Sequence, residues 1–264
     1  MKIHALSTGT VRLKRAFLHA REGPRRQLDL FLPGPWSEPV PIHCWAIEHA
    51  GKLTLVDTGE TADVRDIPFA RFDMTPQQEL PDVLAAAGLS IDDVDSAVVT
   101  HLHGDHMDGA VHLRCPVLVH KRELEYARTF GARFFQRLFR QPVPEDVNFQ
   151  PVTLGAGPFG AFEQSLPLTD DGRIVAVGTP GHTVGHISVF CIDDEDRHVL
   201  LAGDATDTLE QLRARRPDAV SPKPAVAVAT MERIIEHGDR HPTVYLPSHD
   251  LETVARLEAG GRAR

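Results

Sequence analysis

Four metal-competent side chains fall within the six residues His101-Leu102-His103-Gly104-Asp105-His106, directly after the apolar run Ala97-Val98-Val99. A short apolar run that stops at such a turn reads as a buried strand, so the cluster sits at a strand's end. Histidines at i and i+2 do not share a helical face, and His101 and His103 must therefore project from an irregular loop. Neutral imidazoles suit zinc and its first-row neighbours, while Asp105 adds the harder oxygen that a second ion would take. One cation would leave donors over; two would use them all, provided distant parts of the chain bring the rest. The chain must therefore fold so that other donors reach this loop.

The chain in order shows where those donors can come from. Val40 to Glu48 and Lys52 to Val56 read as strands joined across His49-Ala50-Gly51, which leaves Asp57 just past a strand end. Thr75-Pro76-Gln77-Gln78 carries a threonine cap, a first-turn proline and a glutamine three residues on. Pro81 would clash inside that helix, so its regular part is expected to begin near Leu80 and to stop at Gly88. Val94 to Thr100 is the strand that carries the histidine loop, and Val117 to Val119 is another. Lys121 to Arg140 runs at helical period with Phe130, Phe134, Phe135, Leu138 and Phe139 on one face, a stripe that suits core packing or a homodimer contact, and less often a wall for an apolar substrate. Prolines and glycines from Gln141 to Gly160 mark a seam between two halves, about 1–150 and 151–264, of one expected domain spanning 1–264. Beyond it Arg173 to Val177, Ile187 to Ile192, His198 to Leu201 and Thr243 to Leu246 read as strands and Val226 to His237 as a helix. Strands and helices mix in both halves, which favours layered α/β packing.

Composition narrows the partners. With 42% apolar and 25% charged residues the chain has ample material for a core, yet no apolar stretch reaches the ~18 residues of a membrane span. The N-terminus lacks the apolar core of a signal peptide, and Cys44, Cys115 and Cys191 are scattered among apolar neighbours, as expected of buried thiols in a reducing cytoplasm. A net charge of −9 repels a phosphate backbone, and the group Arg21, Arg25, Arg26 is too short to reverse it and reads as a solvated loop. A small-molecule substrate is expected, with neither nucleic acid nor membrane as partner.

Three predicted strands of the second half end in a candidate donor: Gly178-Thr179-Pro180-Gly181-His182, Leu200-Leu201-Ala202-Gly203-Asp204 and Tyr245-Leu246-Pro247-Ser248-His249. His182, Asp204 and His249 would complete two coordination spheres if these ends meet the first loop. Together with Val56-Asp57-Thr58-Gly59, the loop from Thr100 to His106 and Thr183-Val184-Gly185-His186, these pieces resemble the metallo-β-lactamase superfamily from about Val40 to Asp250. The resemblance implies an αβ/βα four-layer sandwich with the metals at one edge of two facing sheets. It implies that His101, His103 and His182 hold one ion, that Asp105, His106 and His249 hold the other, and that Asp204 bridges them. Two divalent ions are implied, zinc first, with manganese, iron or cobalt as alternatives. Asp57 would steer a ligand or loop rather than bind metal; His186 is a candidate that the family pattern passes over in favour of His182; His43 and His120 are left to surface or supporting roles.

Within the superfamily, aspartate at 204 without a nearby cysteine resembles the glyoxalase-II and lactonase branches, and histidine at 103 differs from the glutamate of flavo-diiron oxidoreductases. The Thr-Pro-Gly-His-Thr-Val-Gly-His block is most similar to N-acyl homoserine lactonases. Those enzymes usually carry a tyrosine three positions after the bridging aspartate, against the substrate carbonyl; Asp207 stands there instead, and an aspartate donates a hydrogen bond only when protonated. The implied activity is a lactonase or esterase reaction in which a metal-bridging hydroxide attacks the carbonyl carbon, with Asp105 or a water returning a proton to the leaving alkoxide. The same centre could take a thioester, phosphotriester or sulfate ester, and a non-catalytic metal-stabilised sensor is a third reading.

Overall fold

The structure, a computed structural model, describes residues 1–20, 23, 25–139 and 141–260. Arg21 of the predicted arginine group and Arg140 at the end of the predicted helix lie outside the described residues. The strands in chain order are β1 (Lys2–Leu13), β2 (Val40–His49), β3 (Lys52–Val56), β4 (Ala70–Asp73), β5 (Val94–Val99), β6 (Val117–His120), β7 (Phe149–Val152), β8 (Ser165–Pro167), β9 (Ile174–Gly178), β10 (Ile187–Ile192), β11 (His198–Gly203) and β12 (Thr243–Pro247). The helices are α1 (Arg15–Leu18), α2 (Leu80–Ala86), α3 (Gly104–Met107), α4 (Lys121–Ala127), α5 (Phe130–Phe139), α6 (Leu209–Ala214), α7 (Pro224–Arg240) and α8 (Thr253–Glu258). Two compact units emerge, Met1–Leu13 with Ser37–Val152, and Lys14–Trp36 with Thr153–Arg264. Among the described residues no helix is long and apolar enough to cross a membrane.

The first unit is built on a seven-stranded sheet in the order β4-β1-β2-β3-β5-β6-β7. Its hairpin turns on Ala50 and Gly51, both with positive φ (51° and 75°), the left-handed pair that matches the twist of the flanking strands. From β3 onward the neighbours are parallel, Val56 pairing with Val98 and Val98 with Leu118, so the ends of β3 and β5 emerge side by side. Thr75 and Gln78 form the predicted capping box, and α2 then begins at Leu80 with Pro81 in its first turn, burying Leu80 and Leu84 against Leu55, Ala97 and Val99.

The expected helix from Lys121 to Arg140 is two helices. Thr129 breaks it: its hydroxyl donates to the Tyr126 carbonyl and accepts from the Ala132 amide, so one side chain ends α4 and caps α5. The core-packing reading of the phenylalanine stripe is also overturned, because no residue of α5 is buried and Phe130 is 88% exposed. The helix turns its smaller side inward, with Ala132, Gln136 and Phe139 half-buried.

The second unit carries a five-stranded sheet in the order β12-β11-β10-β9-β8. Phe190, Leu200 and Tyr245 of that sheet pack with Ala227, Met231 and Ile234 of α7. Its registers fix one edge: Gly178 pairs with Ile187, and Gly203 with Pro247, so the end of β9, the start of β10 and the ends of β11 and β12 emerge together. All three cysteines are free, with Cys44 and Cys191 buried as expected; Cys115, in the turn before β6, is half-exposed instead. Burial pushes the thiol of Cys191 up to about 12 and that of Cys44 further still.

Candidate metal centre

In the first unit the donor loop is organised by Asp57. This residue leaves β3 with φ at 58°, an uncommon conformation for a side chain with a Cβ, while its amide stays bonded to the Val98 carbonyl at 2.8 Å. The turn aims its carboxylate at the next strand end, where it accepts from the Thr100 amide (2.7 Å), the Thr100 hydroxyl (3.0 Å) and His106 Nδ1 (2.8 Å). A carboxylate can only accept, so His106 carries its proton on Nδ1 and presents Nε2 as the lone pair. His101 is set the same way: Nδ1 lies 3.1 Å from the Thr100 hydroxyl, and its Nε2 is 3.0 Å from Nδ1 of His103. His101 and His106 are fully buried with ring centroids 4.2 Å apart, and Asp105 Oδ1 lies 4.0 Å from His106 Nε2. The loop is fastened from behind by the Thr58 amide and hydroxyl on the His106 carbonyl, and by the Gly109 amide on the Gly59 carbonyl.

Beneath this loop lie two acids that sequence reasoning missed, Glu60 and Asp108. Both converge on Gly104, where a Cβ would stand 3.0 Å from an Asp108 oxygen and 3.2 Å from a Glu60 oxygen. Burial, then the charges of Asp108 and Asp105, push Glu60 up to about 10, so it keeps its proton at neutral pH. Burial above all pushes Asp108 up to about 6.

In the second unit the ends of β9, β11 and β12 bring His182, Asp204 and His249 together. One Asp204 oxygen lies 3.5 Å from His182 Nε2 and the other 3.4 Å from His249 Nε2, so a single carboxylate faces an imidazole on each side. His182 Nδ1 is held at 2.8 Å by Asp218, a residue sequence reasoning did not find, whose second oxygen accepts from the Ser221 amide at 2.7 Å. Asp218 follows Pro217 in a loop with no strand before it, so neither apolar pattern nor spacing marks it. Burial would lower the His182 pKa, but the charge and hydrogen bond of Asp218, then Asp204 and Asp207, raise it to about 9 in the metal-free chain. His186, the candidate set aside, supports the site: Nδ1 is 2.8 Å from the Thr179 hydroxyl and Nε2 accepts the Asp204 amide at 3.0 Å. His43 likewise has a supporting place, bonded to the Leu6 carbonyl at 3.1 Å.

Asp207 lies in the turn after β11, 2% exposed, its amide donating to Gln211 Oε1 at 2.8 Å. Neither of its carboxylate oxygens has a hydrogen-bond partner. Burial, then the negative charges of Asp204 and Asp218, push it up to about 7.

Three imidazoles, His101, His106 and His182, have Nδ1 engaged by a hydroxyl or carboxylate, so Nε2 is the nitrogen that each would offer a cation. That is the arrangement that fixes a metal-ligating histidine, and with Asp105 and Asp204 as oxygen donors the residues fit borderline divalent cations.

The profile of the metallo-β-lactamase superfamily matches residues 37–257. Among curated relatives, the N-acyl homoserine lactonase AttM of Rhizobium radiobacter is 23% identical over 274 residues, covering 98% of this chain and 96% of its own. The N-acyl homoserine lactonase AiiA of Bacillus thuringiensis subsp. kurstaki is 24% identical over 262 residues, covering 95% and 94%. A solved N-acyl homoserine lactone hydrolase with N-hexanoyl-L-homoserine bound at its catalytic metal centre superposes with a TM-score of 0.76 at 21% identity over 99% of this chain and 96% of that one. The dizinc quorum-quenching lactonase AidC superposes with a TM-score of 0.66 at 16% identity, over 94% and 86%. With two helix-clad sheets in the metallo-β-lactamase fold and a profile match across most of its length, the chain belongs to the metallo-β-lactamase superfamily and is a metal-dependent hydrolase.

Proposed function

We propose that the donors of the two units bind a pair of divalent cations, and that the loaded chain, acting as a single domain, opens a lactone of the N-acyl homoserine type or a related carboxylic ester. On this reading His101, His103 and His182 would hold one ion and Asp105, His106 and His249 the other, with Asp204 shared between them. The observation that carries this reading is Asp204, whose two oxygens face His182 and His249 at 3.5 and 3.4 Å, so that one carboxylate would be available to two cations. Zinc suits the imidazole-rich set first, and manganese, iron or cobalt would also be accepted. When bound, the cations supply Lewis acidity and a water acidified to a pKa of about 7.

The chain's own residues do the rest. Asp57 and Asp218 hold the imidazoles of His106 and His182 in register, and His186 holds the backbone of Asp204. Asp105, only part-buried, can return a proton to the leaving alkoxide. Asp207 occupies the position where similar lactonases carry a tyrosine; its buried, unpartnered carboxyl, when protonated, donates a hydrogen bond to the substrate carbonyl. The relatives named as N-acyl homoserine lactonases support the lactone, and the three free cysteines suit a reducing cytoplasm.

The test is a substrate panel of acyl homoserine lactones, aryl esters, thioesters and phosphotriesters on zinc- and manganese-loaded protein, with and without chelator. Chelator-sensitive opening of the lactones with the highest kcat/KM is expected, and Asp204→Asn should lower metal content and turnover together. Faster turnover of a phosphotriester or thioester would transfer the site to that substrate class, and full activity of Asp204→Asn with normal metal content would refute the shared ligand.

A further inference from the structure

Away from the donor loops, α5 carries its largest apolar side chains outward. Phe130, Phe134, Phe135 and Leu138 are 88%, 55%, 50% and 57% exposed. The inward side is held by Phe139, edge-on to Phe69 at 5.8 Å, and by Gln136, whose amide donates to the Ala127 carbonyl at 3.3 Å. At about 100° per residue the outward arc runs Arg133, Arg137, Phe130, Phe134, Leu138, Gly131, Phe135, so two guanidinium groups edge an apolar stripe. From Tyr126 to Pro144 the sequence has arginines at 128, 133, 137 and 140 and no acidic residue, in a chain whose net charge is −9.

A helix that shows its apolar face to water needs something to cover it, and the charge pattern selects the cover. A two-fold contact between antiparallel copies of α5 would set the Arg133 and Arg137 rows against each other, with no acid between Tyr126 and Pro144 to separate them. Lipid phosphates offer the complementary charge, and phenylalanine and leucine beside arginine are the composition of helices that lie in a bilayer interface. Arginine stems can run along the acyl boundary while their heads reach the phosphates. We propose that α5 is a membrane-surface contact, laying Phe130, Phe134, Phe135 and Leu138 into an anionic bilayer with Arg133 and Arg137 at the headgroups.

A helix of this length, about 15 Å, lies on a bilayer and cannot span one. The expectation that no membrane is involved rested on the lack of a spanning run, which an interfacial helix does not need. The net negative charge of the chain does not forbid the contact, because at physiological salt fields fade over about 8 Å and the local arginines dominate. The inference is independent of the reading of the metal centre.

The experiment is sedimentation of the metal-loaded full chain with vesicles of phosphatidylcholine alone or mixed with phosphatidylglycerol, at low and high salt. Binding to the phosphatidylglycerol vesicles is expected to be stronger by at least about tenfold and to weaken with salt. Phe134→Ser with Leu138→Ser should abolish binding, whereas Arg133→Gln with Arg137→Gln should remove the anionic preference and leave weak binding to both vesicles. These side chains are exposed, so unchanged melting curves of the variants verify that they fold. No binding to either vesicle overturns the proposal, as does a dimer by sedimentation equilibrium that Phe134→Ser with Leu138→Ser dissociates without any effect on vesicles.

Discussion

A histidine binds a cation through one ring nitrogen, and whatever occupies the other nitrogen decides which. Asp218 does this for His182 and Asp57 for His106, each at 2.8 Å. Replacing Asp218 with asparagine keeps the shape but removes the charge, and loss of such a partner lowers metal affinity by roughly 10- to 100-fold. Chelator competition on Asp218→Asn should show that drop at little change in melting temperature; an unaltered affinity would mean that the charge of Asp218 adds nothing to the hydrogen bond that orients His182. Asp57 carries a second duty, since its φ of 58° is one that asparagine tolerates and alanine does not. Asp57→Asn should therefore fold. Asp57→Ala should lose about 3 kcal/mol in urea titrations, because the buried Thr100 amide is also left without its acceptor. Equal stability of the two variants would show that the carboxylate is held for its charge alone.

The element that links β3 to the donor loop leaves no room for a side chain at Gly109. A Cβ there would sit 2.1 Å from the Thr58 carbonyl oxygen, a backbone atom two bonds from the segment that aims Asp57. Gly109→Ala is expected to cost about 1–3 kcal/mol and to weaken metal binding as well, since Thr58 must shift and with it the hydrogen bonds to the His106 carbonyl. Thermal melts with and without added zinc separate the two effects. How legible such elements are follows their burial. Strands inside the sheets announced themselves as apolar runs, from Val94–Val99 to Thr243–Pro247, and each donor lies where one of these ends. The strands that the pattern did not mark, β4, β7 and β8, are all edge strands of three or four residues, too short and half-solvated to alternate clearly. In β1 the register with β2 shifts between Ser7 and Thr10, where Gly9 takes a φ of 99°, so the alternation along its twelve residues is interrupted. The candidate donors were legible because strand ends and spacing mark them; Asp218, Glu60 and Asp108 were not, because a residue packed behind a loop needs only proximity, which no local pattern encodes.

For the molecule as a whole, acid offers a test in which two contributions oppose each other. The net charge of −9 at neutral pH means that mild acidification relieves self-repulsion, which on its own would stabilise the fold. The second unit contains the opposite effect. His237, with no exposed surface, lies 4.5 Å from the Phe190 ring by centroids and 5.5 Å from Phe159, and its Nε2 meets His198 Nδ1 at 2.8 Å. Burial, then the neighbouring His198 and His241, press its pKa down to about 3, and burial presses His198 down as well. In the unfolded chain the same imidazole titrates near 6.5, so between about 6.5 and 3 this group binds more proton in the unfolded state and its own contribution to stability falls as pH falls. Asp207 and Asp108, raised to about 7 and about 6, act in the opposite direction. Urea unfolding of the native chain, kept metal-free so that the donor histidines titrate alike in every sample, is therefore expected to show a midpoint that slopes more steeply downward below about pH 6.5 than that of a chain without this imidazole. His237→Gln should be less stable than the native chain at pH 8 and should show a shallower decline. A native midpoint that rises on acidification would mean that relief of the surface charge and protonation of the buried acids Asp207 and Asp108 outweigh the buried imidazole, and parallel curves for the two proteins would place the acid sensitivity elsewhere.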